Sequence, residues 1–169
     1  MGIGEKISQV FGKMKMPSRW VDGMLSADEE TEVLDLKDGA DNIRDLAFYD
    51  ERADVLHLLS PEAYHFVLPM IMRAYVSAVA SNDVEKSSLL SVDSIVDWLG
   101  QPVRPELFSD RFVRVWGRIS MMELCVVEDW LRYIITHKYN DEYGVRRALM
   151  MLQYLKSMGA QGTDPNGGV

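Results

Sequence analysis

Ser60-Pro61-Glu62-Ala63-Tyr64-His65-Phe66-Val67-Leu68-Pro69-Met70-Ile71-Met72-Arg73-Ala74-Tyr75-Val76-Ser77-Ala78-Val79-Ala80 is the stretch from which the fold class follows. The serine hydroxyl can accept from an amide of the first helical turn. Proline sits at N1, where its missing N–H costs nothing, and Glu62 places negative charge at the positive helix end. A long helix is therefore predicted from Pro61 to about Ala80. The apolar run from His65 to Ala80 is too short to cross a bilayer at about 1.5 Å per residue and carries Arg73 midway, so it reads as a core helix. Pro69 removes one backbone hydrogen bond and its ring crowds the carbonyl of His65, which predicts a kink or break at residues 65–69.

Helix signals continue on both sides of this stretch. Ile3, Ile7, Val10, Phe11 and Met14 recur at helical spacing and predict an amphipathic helix that stops before Pro17. Ser26-Ala27-Asp28-Glu29 is a capping box that starts a second helix, and two short helical turns are expected around Asp41–Phe48 and Arg52–Leu59. After a polar turn at Ser81–Ser88, the pattern Leu90, Val92, Ile95, Val96, Leu99 predicts a short helix with Gly100 as a left-handed C′ cap. Phe108–Trp116 is ambiguous by periodicity, and we read it as helical. A second box, Ser120-Met121-Met122-Glu123, opens a helix that is apolar around most of its circumference to Ile135, as suits a bundle centre. Asn140, Asp141 and Glu142 start a last helix that Gly159 is placed to end, leaving a disordered tail. The expectation is an all-α fold: a single-domain irregular bundle of about 6–7 helices over residues 1–158, with a Pro-kinked central helix and a tail at 159–169.

Composition narrows the classes of function. The chain has 169 residues, 47% hydrophobic and 26% charged, enough for one core without disulfide or metal staples. The lone Cys125, in the apolar run Met121–Val127, is expected to act as a small core hydrophobe, which fits a reducing compartment. No secretory h-region follows Met1-Gly2-Ile3-Gly4-Glu5-Lys6, and Lys6 spoils a myristoylation signal, so a cytoplasmic location is expected. A net charge of −8 argues against nucleic acid and against an anionic membrane as partners.

That charge is unevenly spread. Residues 26–54 hold eleven acids against Lys37, Arg44 and Arg52, a net of −8 that equals the charge of the whole chain. One reading is a solvated helical face that keeps the protein soluble. The other is a surface that docks onto a basic protein such as a nuclease-like toxin, with Asp28, Glu29, Glu32, Asp35, Asp38, Asp41 and Asp45 as the contacts. The spacing lacks the Asp-x-Asp-x-Asp-Gly loop and terminal Glu of an EF-hand.

Catalytic signatures are sparse. There is no Walker loop, dinucleotide fingerprint, His-Glu-x-x-His or Gly-x-Ser-x-Gly. Glu62-Ala63-Tyr64-His65 matches the Glu-x-x-His step of di-iron bundles, but it occurs once and at a helix start, where Glu62 reads as a first-turn acid. His57 and His137 fall near element ends; Glu128 and Arg132 stand at i and i+4 and read as a surface pair beside Glu123 and Asp129. Of the eleven Met residues, Met70, Met72, Met121, Met122, Met150 and Met151 lie in apolar helices and read mainly as core, with an adaptable binding surface as the alternative. No cofactor or metal site is expected.

The run Leu58-Leu59-Ser60-Pro61-Glu62-Ala63-Tyr64-His65-Phe66-Val67-Leu68-Pro69 resembles the hallmark of a family of small uncharacterised bacterial proteins. These share a Phe/Leu–Ser/Thr–Pro–Glu–Ala–aromatic core, then Leu-Pro and an apolar helix, and a later Trp/Phe-Leu-x-Tyr element, here Trp130-Leu131-Arg132-Tyr133. The resemblance covers residues 45–155 and departs at Ile119-Ser120-Met121-Met122-Glu123, which lacks the proline of the family's Leu-Thr-Pro-Glu helix start. It implies a small helical cytoplasmic protein without known catalytic residues, of a sort found beside bacterial toxin systems. No site residue carries over, because the matching positions are caps and core. The expected function is non-enzymatic protein binding, most concretely an immunity-type inhibitor that docks its acidic block onto a basic toxin or effector. The alternatives are an adaptor or secretion chaperone, and a metal-dependent enzyme using Glu62 and His65. Monomer and homodimer both stay open.

Overall fold

Hydroxyl caps set the main helix starts. The Ser60 side chain accepts from Ala63 N at 3.1 Å, Ser109 from Phe112 N at 3.1 Å, and Ser120 from Glu123 N at 3.3 Å while Glu123 reaches back to Ser120 N at 2.8 Å. The computed structural model describes residues 1–12, 14–39, 45–102 and 104–161. Among them are eight α-helices: α1 (Ile3–Phe11), α2 (Ala27–Gly39), α3 (Leu46–Asp50), α4 (Pro61–Ala80), α5 (Leu90–Gly100), α6 (Asp110–Trp116), α7 (Met121–Thr136) and α8 (Glu142–Gln161). Short 3-10 turns lie at Ala53–Leu58, Val84–Lys86 and Pro105–Leu107, and an isolated bridge joins Val21 to Leu59.

The all-α expectation holds, with eight α-helices among the described residues where 6–7 were anticipated; the segment read as helical over Phe108–Trp116 is helical at Asp110–Trp116, and the turn expected around Asp41–Phe48 is, within the described residues, the short helix Leu46–Asp50. α4 is the central element: it packs against α1, α3, α5 and α6, while α7 and α5 both pack on α8. The chain passes the buried Pro69 without leaving the helix, so the alternative of a break is corrected. Trp116, Trp130, Tyr64, Tyr75 and Phe112 are fully buried. Tyr64 meets Trp98 and Trp116 edge-on, with ring centroids 4.7 and 5.7 Å apart.

Three glycine or end assignments differ from the sequence reading. α1 stops at Phe11 because Gly12 takes φ 59°, so Met14 lies beyond the helix. Gly100 is not a left-handed cap; it ends α5 and Gln101 continues in right-handed geometry. Its missing side chain serves packing instead: a Cβ there would come within 3.3 Å of both Arg147 Cβ and Gly144 O on α8. Gly159 does not end the last helix, which runs on to Gln161; the remainder of the tail expected over 159–169, residues 162–169, lies outside the described residues.

The start of α5 is supplied from elsewhere. Leu89, in N-cap position, has φ 61° and no capping side chain. Asp50, only 5% exposed, takes over: its carboxylate accepts from Leu89 N at 3.0 Å, Ser91 N at 3.0 Å and Ser91 Oγ at 2.6 Å, and also from the Ser87 hydroxyl. A buried carboxylate with several donors satisfies the orphan amides of a helix whose own sequence offers none.

Candidate functional site

α2 begins with the predicted box: Glu29 accepts from Ser26 N at 2.7 Å and donates its own amide to Ser26 Oγ at 3.3 Å. Val33 and Leu36 are buried, Glu29 and Glu32 partly covered, and Asp28, Glu30, Leu34, Asp35, Lys37 and Asp38 exposed. At 3.6 residues per turn, one inner stripe therefore holds the helix to the body and the rest faces water.

The seven residues nominated from sequence divide into kinds. Glu29 serves the helix start, and its hydrogen bonds to Ser26 hold its carboxyl below the usual carboxylate range. Asp45 is the N-cap of α3, accepting from Phe48 N at 3.0 Å. Asp35 faces Arg52 at 3.4 Å, and that guanidinium also lies 4.1 Å from the centroid of the Phe48 ring. Asp41 lies outside the described residues. Asp28, Glu32 and Asp38 make no ion pair among the described residues, and Glu30, which the sequence reading did not nominate, shares that condition. Elsewhere in the acidic block, Asp50 is consumed in capping α5.

Beside α2 the structure adds an apolar feature. The crossing segment 18–25 and α2 enclose an open groove of about 480 Å³. Trp20 and Val33 form its buried floor, Val21 and Leu25 its half-buried walls, and Met24 and Leu34 stand exposed at its edge, with Glu30 and Lys37 alongside. The segment is anchored to the body: Ser60 N donates to Trp20 O at 2.8 Å and Ser60 Oγ to Arg19 O at 2.6 Å. Sequence reasoning missed the groove because its two sides meet only in the fold. The available signal was the unclaimed apolar set Trp20, Val21, Met24 and Leu25 opposite the unexplained Leu34.

The other candidates are engaged separately. Glu62 pairs with Arg118 at 3.2 Å, whereas His65 Nε2 meets Glu123 Oε1 at 3.0 Å, so the Glu-x-x-His step does not converge. Among the described residues no group of three or more His, Cys, Asp or Glu is arranged to hold a metal ion. His137 ends α7, where its ring stacks on Tyr133 at 3.9 Å and its carbonyl accepts from the Tyr75 hydroxyl, whose pKa burial pushes up to about 12. His57 is exposed on a 380 Å³ hollow beside Trp98 and Arg111.

Two surface readings need correction. Cys125 is exposed, not a core hydrophobe: α7 turns this position outward between the buried Leu124 and Val126. Glu128 is more than half of a surface pair, since it bridges Arg132 at 2.7 Å to Lys156 of α8, and these cations hold its carboxyl below the usual range. The methionines split: Met72 and Met151 are core, while Met121, Met122 and Met150 are exposed. Comparison of the chain with protein-family models, curated proteins and solved structures found no match.

Proposed function

We propose that this chain is a non-enzymatic protein-binding protein, an immunity-type inhibitor that docks its acidic α2 surface onto a basic toxin or effector. The observation that carries the reading is the set of four carboxylates on α2, Asp28, Glu30, Glu32 and Asp38, that make no ion pair among the described residues, whereas Glu29 caps the helix and Asp35 faces Arg52. Carboxylates without internal cations leave a focused negative potential, which speeds encounter with a positive partner and disfavours acidic ones. The resemblance of residues 58–69 to the Ser-Pro-Glu-Ala…Leu-Pro family, which does not include α2, favours a protein of the sort found beside toxin systems and says nothing of the acidic surface.

The test is a pull-down from native lysate at low and high salt, with mass spectrometry of what is retained. The comparison variant carries Asp28→Asn, Glu30→Gln, Glu32→Gln and Asp38→Asn, sparing Glu29 and Asp35. A basic protein that is lost at high salt, and is not retained by the variant, is the expected result. Equal retention with unchanged salt dependence overturns acidic docking.

A second reading, an adaptor or secretion chaperone, draws on α8, where Tyr143, Met150, Tyr154 and Met158 are exposed at helical spacing. Its sign is a stable homodimer in light scattering, dissociated by Met150→Lys with Tyr154→Lys.

A further inference from the structure

We infer that the groove between segment 18–25 and α2 receives one apolar side chain from a basic helical segment of the partner. This rests on the acidic-docking reading and specifies the apolar anchor beside the acids. Binding interfaces concentrate energy in a desolvated apolar pocket and use the polar rim to exclude water and select charge. Both parts are present here. The floor is Trp20 and Val33, already stripped of water, and Leu34, 49% exposed on a charged helix, is apolar surface that only an incoming group would cover. Glu30 on its rim, with the net negative charge of the exposed part of α2 beyond it, matches lysine or arginine and disfavours an acidic segment.

The groove also has a polarity. Glu30 and Lys37 both line it, seven positions apart on α2, which at 1.5 Å per residue is about 10 Å. A cation of the partner therefore sits toward Glu30 and the start of α2, and the end beside Lys37 takes an uncharged or acidic residue. The anchoring side chain lies between them, against Trp20 and Leu34.

The test uses the full chain with three short helical peptides as probes: a leucine with lysine on one side and glutamine on the other, the same peptide with alanine for the leucine, and the same peptide with glutamate for the lysine. Binding is read at low ionic strength from the Met24 methyl and Trp20 indole signals in nuclear magnetic resonance spectra. The lysine–leucine peptide is expected to shift both signals. Replacing its leucine by alanine, or using the variant Leu34→Ser, is expected to weaken binding about tenfold, because burial of one leucine is lost. Leu34 is exposed, so that variant keeps the fold, and circular dichroism verifies it. If the alanine peptide binds as tightly as the leucine peptide, the groove inference is overturned and acidic docking stands. If the glutamate–leucine peptide binds as tightly as the lysine–leucine peptide, both the basic-segment assignment and acidic docking are overturned. Absence of binding by either lysine peptide overturns both as well.

Discussion

Two carboxylates, Glu128 and Asp93, respond to pH with opposite sign. Lys156 and Arg132 depress the folded-state pKa of Glu128. Its stabilisation is present above the unfolded value of 4.5 and lost as pH falls through the folded value. Burial raises Asp93, with the Tyr139 hydroxyl at 2.7 Å opposing the shift and Asp97, Asp50 and Asp141 adding to it. The folded state therefore binds this proton more tightly than the unfolded chain, and stability falls as pH rises from 3.8 through the folded value. Glu128→Gln is expected to cost about 1–2 kcal/mol at neutral pH and to flatten the acid limb of the stability profile. Asp93→Asn, which keeps an acceptor for Tyr139, is expected to raise stability at neutral pH and to lose that gain in acid. Urea titrations across pH measure both. At Cys125, exposure predicts stoichiometric reaction with a thiol reagent in the absence of denaturant, where a core thiol would stay protected.

At the scale of elements, α5 shows how a helix can begin without a local start signal. Asp50→Ala leaves the amides of Leu89 and Ser91 without their acceptor and is expected to cost about 2–3 kcal/mol in urea unfolding. Asp50→Asn, with one acceptor oxygen left, is expected to recover part of it. The helices at Pro61, Met121 and Ala27 were legible because cap and helix are adjacent in the chain: Ser60 with Pro61, and the boxes at Ser26 and Ser120. The cap on α5 was not legible, since Asp50 and Ser91 are 41 residues apart. Gly100 misled for a related reason. A glycine after an apolar stripe reads as a cap, whereas here it makes room for a neighbouring helix that only the tertiary structure brings near. Cys125 followed the average hydrophobicity of its run, yet one position on a helix still points outward. The acidic surface was visible as composition, but which acids were already engaged depended on contacts such as Arg52 with Asp35.

For the molecule as a whole, α1 acts as a clamp. It packs against both α4 and α7, buries Ile7 and Phe11, sets Phe11 edge-on to His65 at 6.1 Å and pairs Lys6 with Asp129 at 2.7 Å. Deleting residues 1–12 would uncover apolar faces of two central helices, and the expected outcome is strong binding of a hydrophobic dye together with loss of a sharp thermal transition. The acidic helix behaves oppositely. Neutralising Asp28, Glu30, Glu32 and Asp38 together is expected to change stability by less than about 1 kcal/mol, while Ser26→Ala alone, which removes a cap, is expected to cost about 1 kcal/mol. Thermal melts of the two variants make the comparison. On that expectation, these four acids can be exchanged singly by mutation without passing through an unfolded intermediate sequence. Descendants of such a chain are free to vary the surface charge of α2 while their interior stays the same, and that divergence would show as variable residues on α2 over an unchanged set of caps.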